Sequence, residues 1–273
     1  MRLLDLFSGI GGFSLGLERS GAFKTVAFCE IDPFCRRVLA KHWPEVPCYD
    51  NIKTLTAARL ASDGITVEAI CGGFPCQDIS FAGKGVGLVG ERSGLWREYA
   101  RLISEIRPRY VIVENVAALL SRGLGDALAD LAALGFDAEW HCIPASAVGA
   151  PHRRDRIWIV AYAAGIGPQR GCDKSPGTNP ASRILADADS AGLQGWGQAL
   201  FAQKEWKSDA RYAWASSRGG WQNANWDTEP NVGRVANGVP TRVDRLRSLG
   251  NAVVPQIPEI IGRAIAQAEG WTK

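Results

Sequence analysis

Three observations in the sequence predict an α/β fold with a mainly parallel sheet. Short apolar runs alternate with helical stretches from residue 1 to about 163, the pattern of strands covered on both faces by crossover helices. Glycines cluster at 9, 11 and 12 behind the first apolar run, where a strand must turn tightly into a helix. The chain has 273 residues, 46% hydrophobic and 22% charged, enough for one substantial core and a second, smaller lobe.

The expected strands are Leu3 to Phe7, Thr25 to Cys29, Val67 to Cys71, Tyr110 to Glu114, Asp137 to Ile143 and Ile157 to Tyr162. Between the first two, SLGLERSG reads as a helix closed by Gly21. REYARLISEIRPR places Tyr99, Leu102, Ile103 and Ile106 at helical spacing, and Pro108 stops it before the next strand. DALADLAALGF repeats that design. From about residue 164 the texture turns to glycine, asparagine, serine and tryptophan, with five of the ten tryptophans, at 196, 206, 214, 221 and 226, before Arg242. A regular pattern resumes in RSLGNAVVPQIPEIIGRAIAQA, whose last part reads as a helix with Ile260, Ile261, Ala264, Ile265 and Ala268 on one side. One α/β domain, interrupted by an irregular insertion and completed by its C-terminal segment, is the expected organisation: 1–163, 164–238 and 239–273.

Charge and cysteines limit the function classes. A net charge of +3 permits a polyanionic partner without requiring one. No run approaches a membrane span, and MRLLDLFSG lacks the apolar core and cleavage site of a signal peptide, so a cytoplasmic protein is expected. Seven cysteines with no C-x-x-C pair suit a reducing compartment and argue against a zinc site, so no metal is expected.

Three constellations carry candidate chemistry. In LDLFSGIGGFSLGLE a strand runs through glycines into a helix, leaving room for a ligand at the helix N-terminus, although a glycine turn without a ligand reads the same. The second strand ends in FCEID, and Glu30 there could accept hydrogen bonds from both hydroxyls of a ribose or be a solvated surface carboxylate. A dinucleotide fingerprint would read G-x-G-x-x-G, whereas this turn does not, which favours an adenosine ligand without phosphates. Cys76 in GGFPCQDIS follows a tight Gly73–Pro75 loop at a strand end, and Glu114 and Asn115 end another strand; in an open parallel sheet both ends face one cleft. The bland reading of Cys76 is a buried inert thiol. Arg154 and Arg156 in GAPHRRDRIWIV lie two apart, so alternation along a strand would point them the same way, towards the site or towards solvent.

Taken in order, DLFSGIGG, EID, GGFPCQDIS, ENV, PHRRDRI and RSLGNAVVPQI resemble the DNA cytosine-5 methyltransferases, in the style of compact bacterial, prophage and phage enzymes. That resemblance implies a Rossmann-like S-adenosylmethionine-dependent methyltransferase fold, with residues 164–238 as a small target recognition domain. It implies methylation of cytosine carbon 5 in a specific double-stranded DNA sequence, by an orphan or restriction-modification enzyme acting as a monomer. Cys76 would add to ring carbon 6 of a flipped cytosine, Glu114 would hold ring nitrogen 3 and the amine, and Arg154 and Arg156 would contact the base carbonyl, the phosphates or the catalytic loop. No side chain stands out to remove the carbon 5 proton, which falls to water or hydroxide.

For S-adenosylmethionine, and its product S-adenosylhomocysteine, the resemblance implies Phe7, Gly9 and Gly11 around the methionine end, with Gly73 and Pro75 beside them. Glu30 would hold the ribose and Ile31 pack on the adenine, with Asn251 and Ala252 closing the site. The adenine amine would meet the Asp50, Asn51, Ile52 stretch; Asp50 sits one position further back than the family's usual acid, leaving open whether Asp50 or Asn51 makes the contact. His152 stands where a glutamine is usual. The glycine-rich stretch from 81 to 94 would close over the base, with Ser80, Lys84 and Arg92 on phosphates, or be a plain connection. In 164–238 the tryptophans read as a small hydrophobic core, and eight Lys and Arg against seven Asp and Glu leave no electrostatic footprint.

Three other readings stay open. A transfer-RNA cytosine-5 methyltransferase would use the same core residues, although the long insertion favours DNA. A hydride-transferring Rossmann enzyme would explain the glycine turn and Glu30 but not Cys76, Glu114 or the arginine pair. A DNA-binding module that only retains the fold would have no use for the cysteine and glutamate.

Overall fold

The computed structural model describes residues 1–75, 94–164 and 242–271. Within them lie seven strands: β1 (Arg2–Leu6), β2 (Lys24–Cys29), β3 (Cys48–Tyr49), β4 (Ala69–Gly72), β5 (Tyr110–Val116), β6 (Phe136–Pro144) and β7 (Asp155–Ala163). They form one sheet in the order β3-β2-β1-β4-β5-β7-β6. The pairs β1–β2, β1–β4, β2–β3 and β4–β5 are parallel, and β7 runs antiparallel to both β5 and β6. The order reverses at β1, whose two neighbours are reached by crossovers in opposite directions. A crevice therefore opens beyond the carboxyl ends of β1, β2 and β4.

The helices are α1 (Gly12–Arg19), α2 (Pro33–His42), α3 (Ala57–Ser62), α4 (Gly94–Ile106), α5 (Leu119–Arg122), α6 (Leu124–Ala133), α7 (Arg242–Asn251) and α8 (Gln256–Ala268). Successive strand residues point to opposite faces, so each strand feeds two cores. Leu4, Leu6, Val111, Val113 and Ile159 pack with Trp96, Tyr99, Leu102 and Ile103 of α4 on one face. Leu3, Ile112 and Val160 pack with Phe13 and Leu17 of α1 and Ile257, Ile261 and Ile265 of α8 on the other. Burying one such aliphatic side chain contributes roughly 1.5–3 kcal/mol.

All six expected strands are present, with ends moved by at most two residues. Beyond the expected elements lie the two-residue β3, the helices α2, α3, α5 and α7, and a 3₁₀ turn at Ala145–Val148. The α2 start is nonetheless written in the sequence, since Asp32 accepts from the amides of Phe34 (2.7 Å) and Cys35 (3.3 Å) and Pro33 fills the first helical position. The buried face of α8 also differs from the expected one. It runs through Ile257, Pro258, Ile261, Gly262, Ile265 and Ala266, leaving Ala268 exposed and Ile260 half-buried. The cause is a close helix crossing. Gly262 lies against Leu17 of α1 and Ser20 just after it, and Gly16 of α1 lies against Pro255 and Pro258. Small residues therefore have to occupy the contact, which an apolar count cannot reveal. The expected insertion at 164–238 lies outside the described residues apart from Ala164.

Candidate active site

At the carboxyl end of β1 the chain makes a turn that only a few residue types tolerate. Phe7 (φ 54°) and Gly9 (φ 53°) adopt left-handed backbone, followed by Gly11 (φ 85°), the residue before α1. A methyl group at Gly11 would come within 2.6 Å of the Trp43 ring, whereas Gly9 has no atom within 4 Å of that direction. Gly11 is thus required by packing, while Gly9 leaves an open cradle for a ligand. Trp43 is fixed by its indole N–H, which donates to Glu18 at 3.0 Å.

Glu30, at the end of β2, is almost fully buried. Its Oε2 accepts from the Gly9 amide at 2.7 Å and its Oε1 from the Asp32 amide at 2.8 Å. The carboxylate is therefore locked in place, and each oxygen keeps a second lone pair for an outside donor. Beside it Ile31 is 75% exposed, an apolar surface standing free at the crevice. A locked two-oxygen acceptor next to a bare aliphatic face suits a ribose diol and a flat base. Asp50 is mostly exposed, 4.0 Å from the Arg36 guanidinium, whereas Asn51 turns its Oδ1 back onto the Lys53 amide at 2.9 Å. Ile52 is buried beneath them. This segment is braced by Arg101 of α4, which donates to the carbonyls of Ile52 and Leu55, both at 2.9 Å. Nothing in the sequence singled out Arg101 for that task.

Below the glycine turn sits an acid the sequence reading passed over. Asp5, in the middle of β1, is completely buried and its Oδ2 accepts from the Ser14 hydroxyl at 2.7 Å, while its Oδ1 has no hydrogen-bond partner. Burial pushes its carboxyl up from the ordinary range to about 7, against the opposing pull of the hydrogen bond from Ser14.

The second half of the site forms where β4 and β5 end. Gly73 follows β4, and a methyl group on it would stand 2.8 Å from Glu114 Oε2. Phe74 and Pro75 come next, the Phe74 carbonyl being held by the Asn115 amide nitrogen at 3.0 Å. Glu114 and Asn115 leave opposite faces of β5, so Asn115 secures the backbone leading to position 76 while Glu114 faces the sheet's other side. The antiparallel register sets Val116 opposite Arg156 and Glu114 opposite Trp158. Arg156 is thus the diagonal neighbour of Glu114, within reach of a long side chain, and its Nε lies 3.0 Å from Glu114 Oε1. Burial raises the Glu114 pKa, and the cations of Arg156 and Arg154 pull the other way without cancelling it.

Arg154 departs from the expected alternation. It precedes β7 and has left-handed backbone (φ 40°), so the rule that strand residues two apart point alike does not reach it. Its Nη1 donates to the Gly250 carbonyl at 2.6 Å and its Nη2 to the Ala252 carbonyl at 2.9 Å. Asn251 is exposed between them. His152 is exposed. Cys76, Ser80, Lys84 and Arg92 lie outside the described residues. No group of three metal-ligating side chains occurs among the described residues, and none of their helices is long and apolar enough to cross a membrane.

The arrangement can therefore hold a nucleoside over Glu30 and Ile31 and, at the ends of β4 and β5, present a largely buried carboxyl with an arginine partner. The sequence model of the C-5 cytosine-specific DNA methylases matches residues 1–196. Similar curated proteins include the Type II methyltransferase M2.BsuMI of Bacillus subtilis, 36% identical over 169 residues, covering 59% of this chain and 42% of that protein. The Type II methyltransferase M.Eco47II of Escherichia coli is 35% identical over 164 residues, covering 58% of this chain and 39% of that one. The matched part is less than half the length of either relative. Among solved structures, a prophage-encoded E. coli protein described as a DNA modification methyltransferase has a TM-score of 0.52 at 26% identity, covering 64% of this chain and 49% of that chain. A mutant of the DNMT2 protein of Spodoptera frugiperda, at 23% identity and a TM-score of 0.52 over 66% of this chain and 55% of that one, shares the fold. With the family match spanning 196 of its 273 residues, the chain belongs to the C-5 cytosine-specific DNA methylase family.

Proposed function

We propose that the protein methylates carbon 5 of cytosine in a specific sequence of double-stranded DNA, with S-adenosylmethionine as donor. The observation that carries this reading is Glu114. It is a largely buried acid whose proton affinity is raised although an arginine stands 3.0 Å away, and it packs on Gly73, three residues before Cys76.

Cytosine carbon 5 is a poor nucleophile, so a group must first add to carbon 6. Cys76 supplies the thiolate for that bond. Protonated Glu114 meets ring nitrogen 3 and the exocyclic amine and stabilises the charge that builds up there as the thiolate adds. Arg156 holds the Glu114 carboxyl in register from the neighbouring strand. The donor, when bound, supplies an electrophilic methyl group on a sulfonium sulfur. Loss of the carbon 5 proton to water then restores the ring and expels the Cys76 thiolate. Duplex DNA hides these atoms, so the base must be flipped out, and the 81–94 stretch, with Ser80, Lys84 and Arg92 on phosphates, is the segment we assign to cover it. Residues 164–238 are assigned to reading the sequence in the major groove, with 1–163 and 239–273 as the catalytic body, acting as one chain.

The donor fits the residues present. Glu30 offers two fixed acceptors to the ribose hydroxyls and Ile31 a free apolar face to the adenine, and Gly9 leaves its cradle open. Asp50, exposed and not turned back on its own loop, is assigned to the adenine amine in preference to Asn51. Transfer of labelled methyl to duplex DNA and to transfer RNA, by the wild type and by Cys76→Ser, tests the proposal. Label is expected in DNA with the wild type and absent with the variant. Label in neither nucleic acid refutes the enzyme, and label in transfer RNA alone moves the substrate there. Bisulfite sequencing of treated DNA then yields the recognition sequence.

A further inference from the structure

The C-terminal segment from α7 into α8 lies across the candidate site and is fastened at several points. Ser248 of α7 meets Cys35 of α2 at 3.4 Å, near the Glu30–Asp32 corner. The Val253 carbonyl lies against Gly12, where a methyl group would be only 2.6 Å from it, so this segment abuts the glycine turn directly. Between these points the carbonyls of Gly250 and Ala252 both accept from Arg154. Carbonyls at a helix end lack intrahelical partners, and a guanidinium offers two donors in a rigid fork together with the positive charge that a helix C-terminus favours. Arg154 does this from left-handed backbone (φ 40°), a conformation costly for an arginine and retained only where the surroundings impose it. Two residues on, Arg156 pairs with Glu114. One short stretch of chain thus reaches both halves of the site.

We infer that Arg154 is a positioning residue for the cofactor: its guanidinium pins Gly250–Ala252 against the glycine turn, so that the wall of the donor site is set from the turn leading into the strand that carries the partner of Glu114. This rests on the methyltransferase reading and goes beyond it, because it takes Arg154 away from base and phosphate and gives it to the donor side. Both Nη atoms are engaged by these two main-chain carbonyls, which ties the guanidinium to the donor side in this geometry.

The test uses the full chain and S-adenosylhomocysteine as probe. Arg154→Met keeps the apolar stem and removes the donors; Arg154→Lys keeps the charge and loses the rigid fork. Calorimetric affinity for the probe is expected to fall about tenfold in the methionine variant, the scale of one lost charge-assisted hydrogen bond. The lysine variant is expected to lose about threefold on the same scale. Amide hydrogen exchange across 248–255 should speed up in both. At saturating S-adenosylmethionine, kcat should fall by less than the affinity does. An unchanged probe affinity together with a lower kcat or a higher KM for DNA, in either variant, overturns the inference. If the methionine variant fails to fold, the lysine variant decides alone, and an unmoved affinity there overturns it too. A wild type that binds the probe but labels no nucleic acid refutes the methyltransferase reading instead, and a wild type that binds no probe refutes both.

Discussion

Asp5 gives a prediction whose size follows from its position. It is fully buried in β1, with one oxygen on the Ser14 hydroxyl and the other without a partner, and its carboxyl is pushed up from 3.8 to about 7. A group whose folded-state pKa is raised binds its proton more tightly when folded. It therefore adds nothing unfavourable below its unfolded pKa and destabilises progressively as pH rises from about 4 to about 7. Each pH unit in that window is worth at most about 1.4 kcal/mol. Between pH 5 and pH 8 the wild type should thus lose about 2.5 kcal/mol through this residue alone. Asp5→Asn is neutral throughout, and its carbonyl can still accept from Ser14. Its amide must find the Cys71 sulfur or go unpaired, which offsets its stability by a roughly constant amount of about 1–3 kcal/mol. The quantity to measure is the difference between variant and wild type in urea unfolding at several pH values, since titrations elsewhere cancel in it. That difference should climb with pH in favour of the variant. A difference that stays flat from pH 5 to pH 8 refutes the argument, because it would mean that Asp5 carries the same charge folded and unfolded.

Two further predictions concern the site. Glu114→Gln removes the transferable proton while preserving size, and methylation should fall by about a hundredfold or more, the range for a lost general acid, with S-adenosylhomocysteine affinity nearly unchanged by calorimetry; loss of that affinity would sink the assignment. Glu30→Gln leaves one of the Gly9 and Asp32 amides facing an amino group and removes the anionic acceptor, so affinity for the same probe should drop about tenfold to a hundredfold while circular dichroism shows a retained fold.

Much of the frame was legible because buried strands announce themselves through apolar runs and glycine-led ends. Leu3 to Phe7 and Tyr110 to Glu114 were found within two residues of β1 and β5, and Glu30 stands at a strand end as the FCEID pattern suggests. What stayed hidden depends on pairing. No local pattern distinguishes a parallel from an antiparallel neighbour, so the reversed β7, and with it the diagonal that joins Glu114 to Arg156, could be placed only once the register was known. Arg154 shows a related limit: it lies one residue before β7 on left-handed backbone, where strand alternation no longer fixes the direction of a side chain. Asp5 escapes notice because one charged residue in LLDLF does not interrupt an apolar reading, although burying a carboxyl is costly.

The proposed chemistry asks two things of Glu114 that pull apart, and its surroundings answer both. To stay in register it needs a partner, and Arg156 at 3.0 Å is one. To donate a proton it must not be fixed as a carboxylate, which is what an arginine at that distance ordinarily does. Burial outweighs the arginine and keeps the pKa raised. A base filling the crevice would remove more water from the carboxyl and push it further in the same direction, favouring the protonated form. This bears on Cys76, whose nearest histidines in sequence, His42 and His141, are more than thirty residues away. A thiol that attacks a carbonyl needs a base beside it to serve the leaving group. A thiolate adding to a ring carbon has no such leaving group, and the ring can be made electrophilic from its opposite edge by the proton on Glu114. In the proposed reaction, activation therefore falls mainly on the base that is attacked rather than on the cysteine that attacks it.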